Sequence, residues 1–224
     1  FATPVSQENR HSASKNVTVM DTAFNIPQLN RTRRIWIYLP PDYAASKKSF
    51  PVLYMHDGQN LFDDATSYSG EWGIDEFLDS IFSTDKKEII VIGIDNGEAK
   101  RMNEYNPWKF QNFGKGEGDE YVDFLVKNLK PYIDKHYRTL SNKKNTYIAG
   151  SSMGGLISLY AVLKYPEVFG GAGIFSPAFW TAPPIDSVVI TKSKKMNSNL
   201  FFYAGGKEGD AMVPDMVRIE NEIK

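Results

Sequence analysis

Short apolar runs alternate along the chain with segments in which apolar residues recur every three or four positions. The runs are typical of buried strands, and the recurrence is typical of helices packed against a sheet. The alternation predicts an α/β fold with a mostly parallel central sheet and helices on both faces. The predicted strands are 17–20, 34–39, 50–55, 88–94, 146–149, 170–175 and 200–204, the first two antiparallel, and the predicted helices are 72–82, 120–137, 156–163 and 214–223.

The predicted domain organisation is a single unit preceded by an arm. Residues 1–15 are small and polar and are predicted to be a flexible arm, and residues 16–224 are predicted to form the domain. Within the domain, the polar stretch 183–199 is expected to be a surface connection. The sequence stops at Lys224, at the end of the last predicted helix and before any further strand, so we expect the domain to be incomplete at its C-terminal end.

Composition excludes several classes of function. The net charge of −1 gives no reason to expect nucleic acid as a partner, and no apolar stretch approaches the ~20 residues of a membrane span. Cysteine is absent, which excludes disulfides and thiolate chemistry, and no cluster has metal-ligand spacing, so neither a metal nor a cofactor is expected. The oligomeric state is left open. Because the first residue is Phe1 and not Met, we expect the beginning of the chain to have been trimmed, and any export signal would have been removed with it. The location is left open, with a secreted or periplasmic one slightly favoured.

One pentapeptide carries the strongest chemical signal. Residues 150–154 read Gly-Ser-Ser-Met-Gly, between a β-rich run and a helical pattern. A Gly-x-Ser-x-Gly sequence in that setting is typical of a nucleophile elbow, a sharp turn that lifts its serine out of the backbone. The pattern predicts that Ser152 is a nucleophile and that the N–H of Met153 is one donor of an oxyanion hole.

A serine nucleophile needs a base and an acid that orients the base. In this layout the chain order is serine, acid, histidine, and the acid follows a late strand. Glu208 and Asp210 both qualify; Glu208 is favoured because it comes sooner after the strand. All three histidines precede Ser152, so the catalytic histidine is expected beyond Lys224, the competing interpretation being a protein that has lost its base.

The segment that follows strand 50–55 is the second candidate element. It reads His56-Asp57-Gly58-Gln59, and the N–H of Gln59 is predicted to be the second oxyanion donor. Nearby aromatic and polar residues are candidates for the substrate pocket, since aromatic rings on loops can stack on sugar or phenolic rings. The pocket candidates are His56, Asp57, Trp72, Tyr105 and Trp180.

The loop around Tyr105 is flanked by two opposite charges. Arg101 and Glu104 are predicted to form an ion pair that holds this loop in place. An exposed pair of this kind adds little stability, so its value would lie in positioning.

Four motifs together are similar to those of a known family. They are YMHDGQNLFD at 54–63, GEWG at 70–73, EYNP at 104–107 and AGSSMGG at 149–155. The chain from about residue 17 resembles the Putative esterase family, which includes esterase D-like, enterochelin esterase-like, and feruloyl and acetyl-xylan esterases. The resemblance implies an α/β-hydrolase fold and a serine acyl-enzyme mechanism. It places the nucleophile at Ser152, the oxyanion donors at Met153 and Gln59, and the acid at Glu208.

These patterns lead to two functional hypotheses. The first is a serine carboxylic ester hydrolase acting on small-molecule or polysaccharide esters, such as polysaccharide-linked acetyl or feruloyl groups. The second is a non-catalytic carbohydrate-binding relative of the esterase fold that lacks the base histidine.

Overall fold

A seven-stranded mixed sheet forms the centre of the protein in the computed structural model, which describes residues 11–224. The strand order is β1-β2-β4-β3-β5-β6-β7. The pairs β1–β2 and β2–β4 are antiparallel, and all other pairs are parallel. The strands are β1 (Val17–Ile26), β2 (Arg31–Tyr38), β3 (Val52–His56), β4 (Ile90–Ile94), β5 (Thr146–Ser151), β6 (Gly171–Phe175) and β7 (Asn199–Tyr203). The predicted mostly parallel sheet is confirmed.

Helices connect the parallel strands. They are α1 (Ile74–Asp85), α2 (Arg101–Glu104), α3 (Gly118–Phe124), α4 (Lys130–His136), α5 (Met153–Lys164), α6 (Ile185–Lys192) and α7 (Met212–Ile223). A π-helical turn, Leu125–Leu129, joins α3 to α4, so the predicted long helix is present as one continuous helical segment.

The core lies on both faces of the sheet. Adjacent strand residues point to opposite faces, and Tyr54 belongs to one buried cluster whereas Met55 belongs to another. The Tyr54 cluster is the larger and includes most of α5, of which Leu156 and Leu159 are fully buried. The Met55 cluster packs against α1. Helices therefore cover both faces, as the apolar pattern predicts, and the carboxyl ends of β3, β4 and β5 meet at one edge.

The prediction for residues 183–199 is wrong. A helix, α6, occupies Ile185–Lys192, and its residues Ile185 and Val189 are buried in the core. The double proline at 183–184 reads as a turn signal, but Pro184 stands immediately before the helix, where its fixed φ is compatible with helix initiation.

The residues before β1 are held to the domain where the structure describes them. The N–H of Ser12 donates to Asp63 Oδ1 at 3.2 Å, and the N–H of Ser14 donates to Asp75 Oδ2 at 2.7 Å. The rest of the predicted arm, 1–10, lies outside the described residues. Between residues 11 and 224, no helix has both the length and the apolar character needed to cross a membrane.

Two isoleucines of α6 test its packing. Replacing the fully buried Ile185 with alanine removes apolar contacts and leaves a cavity, so Ile185→Ala should lower the free energy of unfolding by about 2–5 kcal/mol. The same substitution at Ile190, which is 54 % exposed, should change it by less than about 0.5 kcal/mol. Chemical denaturation of both variants measures the difference. Equal losses would mean that α6 does not pack as described.

Candidate active site

The turn at Ser152 has the geometry of a nucleophile elbow. Ser152 lies between the end of β5 and the start of α5 with φ 59° and ψ −119°, a conformation that side-chain-bearing residues rarely adopt. Its N–H donates to the carbonyl of Phe175 at 2.9 Å, and its own carbonyl accepts from the N–H of Ala178 at 3.1 Å. Contacts on both sides therefore hold the strained turn, and the predicted strand–serine–helix arrangement is present.

Glycine at position 150 is required by close approach. A Cβ placed on Gly150 would lie 2.8 Å from the backbone carbon of Gly154, a distance that forces the backbone to move. The first glycine of the pentapeptide thus allows the helix to start directly over the end of the strand.

The start of α5 leaves amide groups available. The first helical hydrogen bonds are donated by Gly155 and Leu156 to the carbonyl of Ser152, at 3.1 and 3.2 Å. The N–H of Met153 precedes these donors, and amides at that position have no partner within a helix. The Met153 side chain is buried, and its sulfur accepts a hydrogen bond from Thr181 Oγ1 at 3.3 Å, which fixes the residue.

The loop after β3 offers a second backbone amide that its own turn does not use as a hydrogen-bond donor. It forms a short 3-10 turn, Gly58–Asn60, closed by hydrogen bonds from Asn60 to Asp57 and from Leu61 to Gly58, at 2.9 and 3.2 Å. The N–H of Gln59 precedes these donors. A Cβ on Gly58 would lie 2.7 Å from the backbone of Gly93, so the glycine lets this turn sit against β4.

His56 is a buried neutral group. Its ring is 1 % exposed, and Nδ1 lies 3.0 Å from the hydroxyl of Tyr121. Burial lowers the pKa of His56 to about 4, with the nearby charge of Asp57 opposing the shift and that of Arg101 adding to it. His56 nevertheless belongs to the lining of the cleft described below, together with Asp57.

The other two histidines also have their own partners. Nδ1 of His11 lies 2.6 Å from Asp63 Oδ2, and Nδ1 of His136 lies 2.7 Å from the carbonyl of Tyr132. Among residues 11–224, none of the histidines is hydrogen-bonded to Ser152 or Glu208.

The predicted ion pair between Arg101 and Glu104 is wrong. Arg101 binds Asp57 instead, through Nε to Oδ1 at 2.7 Å and through Nη2 to Oδ2 at 2.9 Å. Glu104 is fully buried and accepts from Arg31 and Arg33 of β2. Helix α2 is a single turn whose two charged ends face different parts of the structure, so proximity along the chain does not bring them together.

A cleft of about 830 Å³ opens beside the elbow. Its walls come from the loops after β3, β4 and β5, at the edge where ligands bind in mostly parallel α/β sheets. Tyr68 is 93 % exposed and Trp72 is 41 % exposed at this cleft, and both offer aromatic surface. Polar lining residues include Arg34, Gln59, Asn60, Asp95, Asn96 and Arg101.

Two of the predicted pocket candidates lie elsewhere. Tyr105 is fully buried and packs against His56 and Tyr121, so it is a core residue and not a cleft wall. Trp180 is 48 % exposed on the turn after β6, but it does not line the cleft. An aromatic residue beside a motif gives no sequence signal that separates these situations.

The acid candidates lie on the loop after β7. Tyr203 at the end of β7 is in register with Phe175 of β6 and Ser151 of β5, so this loop begins two strands from the elbow. Glu208 and Asp210 are both exposed, and Glu208 Oε1 accepts the N–H of Gly205 at 2.8 Å. That contact holds Glu208 close to the end of β7.

The contribution of Asn96 and Arg101 to the site is not evident from the sequence pattern. Asn96 Nδ2 donates to Asp57 Oδ1 at 2.7 Å, which brings the loop after β4 onto the loop after β3. The one usable signal is position, since Asn96 is the second residue after the carboxyl end of a buried strand.

Comparison with known proteins assigns the chain to a family. A family model described as "Putative esterase" matches residues 26–210. The chain belongs to the Putative esterase family. Its α/β-hydrolase fold follows the same assignment, because solved serine hydrolases and esterases share its architecture. The resemblance and the expectation of an esterase are both confirmed.

Alignments with individual relatives cover part of each protein. This chain is 31 % identical over 185 residues to the uncharacterized protein YbbA of Bacillus subtilis, and the alignment covers 79 % of this chain and 69 % of YbbA. It is 28 % identical over 176 residues to an endo-1,4-beta-xylanase/feruloyl esterase of Xylanibacter ruminicola, covering 77 % of this chain but only 22 % of that protein. The solved siderophore hydrolase EstA of Aspergillus nidulans superposes with a TM-score of 0.70 at 19 % identity, covering 94 % of this chain and 78 % of that one.

The depressed pKa of His56 should make stability pH-dependent. Between pH 6.5 and about pH 4 the unfolded chain binds a proton at this residue and the folded esterase does not. The stabilisation that neutral His56 gives the folded state is therefore complete above pH 6.5 and is lost as the pH falls. The total decrease in the free energy of unfolding is about 3 kcal/mol. Denaturation curves at several pH values should show a shallower acid dependence for His56→Gln than for the wild type.

A second variant checks the sign of the effect. Burial raises the pKa of Asp75 to about 6, so this group favours the folded state as the pH falls and opposes His56. The acid dependence of Asp75→Asn should therefore be steeper than that of the wild type. Identical curves for His56→Gln and the wild type would show that His56 is not buried as a neutral ring.

Proposed function

We propose that the protein is a serine carboxylic ester hydrolase in which Ser152 forms the acyl-enzyme. The observation that carries this proposal is the backbone of Ser152, held in a rarely adopted conformation between β5 and α5. Strain of this kind is retained where it presents a reactive group. Ser152 is half-buried, and the two residues before it, Gly150 and Ser151, line the cleft, which is consistent with that role.

The proposed reaction has two stages. Ser152 Oγ gives its proton to the base as it bonds to the ester carbonyl carbon, and the carbonyl oxygen becomes negatively charged. The N–H groups of Met153 and Gln59 donate to that oxygen, and each such donor is worth roughly 3 kcal/mol of barrier. The alcohol leaves with a proton, and water then attacks the acyl-enzyme and releases the acid.

Glu208 is the proposed acid and orients the base. Its support is the position of its loop, which begins on the strand next but one to the elbow strand and so lies at the same sheet edge. The base is proposed to be a histidine, which in enzymes of this layout follows the acid in chain order. Asp210 is the alternative acid on the same loop.

The proposed substrates are esters of acetyl or feruloyl groups on a polysaccharide. Tyr68 and Trp72 provide exposed aromatic surface on which a sugar or phenolic ring can stack, and Asn60 provides a polar group beside it. A feruloyl esterase among the relatives favours this class. Assays with acetyl, feruloyl and short aliphatic esters distinguish the class directly.

Removal of the nucleophile tests the mechanism. Ser152→Ala should lower kcat for ester hydrolysis by about 10⁴-fold or more, and a fluorophosphonate should no longer label the protein. The matched variant is Ser151→Ala, the same change one residue earlier, which should keep the label. Labelling of the wild type is read by mass spectrometry of the peptide that contains both serines. Unchanged hydrolysis by Ser152→Ala would defeat the proposal, whereas a wild type that neither hydrolyses esters nor takes the label but binds carbohydrate would favour a non-catalytic carbohydrate-binding protein.

Two neutral substitutions separate the acid candidates. Glu208→Gln keeps the shape of the side chain but removes the charge that stabilises the protonated base, so kcat should fall by about 10³- to 10⁴-fold. Asp210→Asn should change kcat by less than about 3-fold, because a solvated loop acid interacts weakly with its surroundings. The opposite pattern would move the assignment to Asp210.

A further inference from the structure

The conformation of the Asp57-Gly58-Gln59 loop is set by contacts outside it. Asp57 is in the left-handed region, with φ 57° and ψ 47°. The Gln59 N–H belongs to the peptide unit between Gly58 and Gln59, so its direction depends on what holds the residues on either side. The relevant contacts are therefore those of Asp57 before the peptide and those of Gln59 after it.

The Asp57 carboxylate is held by three donors. Arg101 binds it with two nitrogens, at 2.7 and 2.9 Å, and Asn96 Nδ2 donates to the same Oδ1 at 2.7 Å. The Asp57 side chain is 12 % exposed and that of Arg101 is 25 % exposed, so the pair is partly shielded from water. A two-pronged arginine–carboxylate contact fixes geometry as well as charge.

Gln59 is held at two further points. The N–H of Asn96 donates to Gln59 Oε1 at 3.1 Å, and Thr66 Oγ1 donates to the carbonyl of Gln59 at 2.8 Å. Asn96 thus binds both ends of the loop, Asp57 through its side chain and Gln59 through its backbone.

The ion pair also affects the charge near the elbow. A carbon placed on Gly154 would lie 3.4 Å from Asp57 Oδ2, so this carboxylate borders the first turn of α5. An unpaired negative charge there would repel a negative oxygen that forms at the same amides. The guanidinium of Arg101 cancels it, and hydrogen bonding and attraction to Asp57 raise the pKa of Arg101 in spite of the lowering effect of burial.

We propose that Asp57, Arg101 and Asn96 are positioning residues that orient the Gln59 N–H, and that Arg101 also neutralises the Asp57 carboxylate beside it. The inference rests on the proposed function, since it concerns the oxyanion site of that reaction. It assigns no contact with substrate to these residues. Its distinctive consequence is that loss of Arg101 is worse than loss of the whole pair, because the single variant leaves Asp57 charged.

The test compares three variants with the wild type. Arg101→Gln should lower kcat by about 10²-fold, the order of one lost oxyanion donor, with KM changed by less than about 3-fold. Asp57→Asn combined with Arg101→Gln should recover about 10-fold of that loss, because no uncompensated charge remains. Asn96→Ala, which removes only the side-chain contact, should lower kcat by about 10-fold and is the milder variant if Arg101→Gln folds poorly.

A transition-state analogue provides the readout that a purely structural role would not change. A trifluoromethyl ketone adds to the serine and forms an oxyanion, so its Ki should rise in each variant by the same factor as kcat falls. The control is Arg218→Gln, which removes an arginine–carboxylate pair with Asp186 that joins α7 to α6. That variant should lower the melting temperature without changing kcat or Ki.

The outcomes separate this inference from the proposed function. If the wild type is labelled at Ser152 but Arg101→Gln keeps its kcat, or changes KM alone, the positioning role is overturned and the esterase mechanism stands. A double variant no better than Arg101→Gln would also overturn it. Absence of label on Ser152 of the wild type would remove the proposed function itself.

Discussion

Close contact between backbone segments is the constraint on which the site depends. At the end of β3 the turn containing Gly58 rests on β4, and at the end of β5 the elbow folds back on itself around Gly150. Neither approach leaves room for a methyl group. The parallel sheet fixes where the two strands end, and these contacts fix how tightly each chain turns there. Two turns with unpaired amides consequently lie at one edge of the sheet.

Charges beneath the cleft are either paired or absent. Glu104 is fully buried, and Arg33 binds both of its oxygens, each at 2.8 Å, while Arg31 binds one of them. His56 avoids the cost of a buried charge by remaining neutral. Ionic contacts thus join α2 to β2, and the Arg101–Asp57 pair joins the loop after β4 to the loop after β3. These contacts tolerate little displacement, since removing one partner leaves the other charged in a poorly solvated place.

Local sequence patterns were sufficient to predict the strand and the helix that flank Ser152. The apolar run before Gly150 and the helical spacing after it are local signals, and both elements are present. Strand β1 is longer than predicted because its outer part is an edge strand with register shifts, where polar residues remain exposed. Helix α6 was missed because only Ile185, Val188 and Val189 mark its buried side among polar neighbours.

Long-range pairings could not be predicted from the sequence. Arg101 and Asp57 are 44 residues apart, and nothing in either segment distinguishes this partner from the nearer Glu104. The position of Tyr105 is similar, since an aromatic residue on a loop can face a cleft or complete a core. Such choices are made by the packing of the whole sheet edge, which only the folded chain reveals.

The backbone conformation at position 152 lowers the stability of the fold while it presents the proposed nucleophile. A residue with a side chain held at φ 59° and ψ −119° costs on the order of 1–3 kcal/mol, whereas glycine adopts such angles freely. Selection for a more stable protein alone would replace this serine with glycine and abolish the hydroxyl. The strain at position 152 is therefore a loss of stability that accompanies the proposed nucleophile.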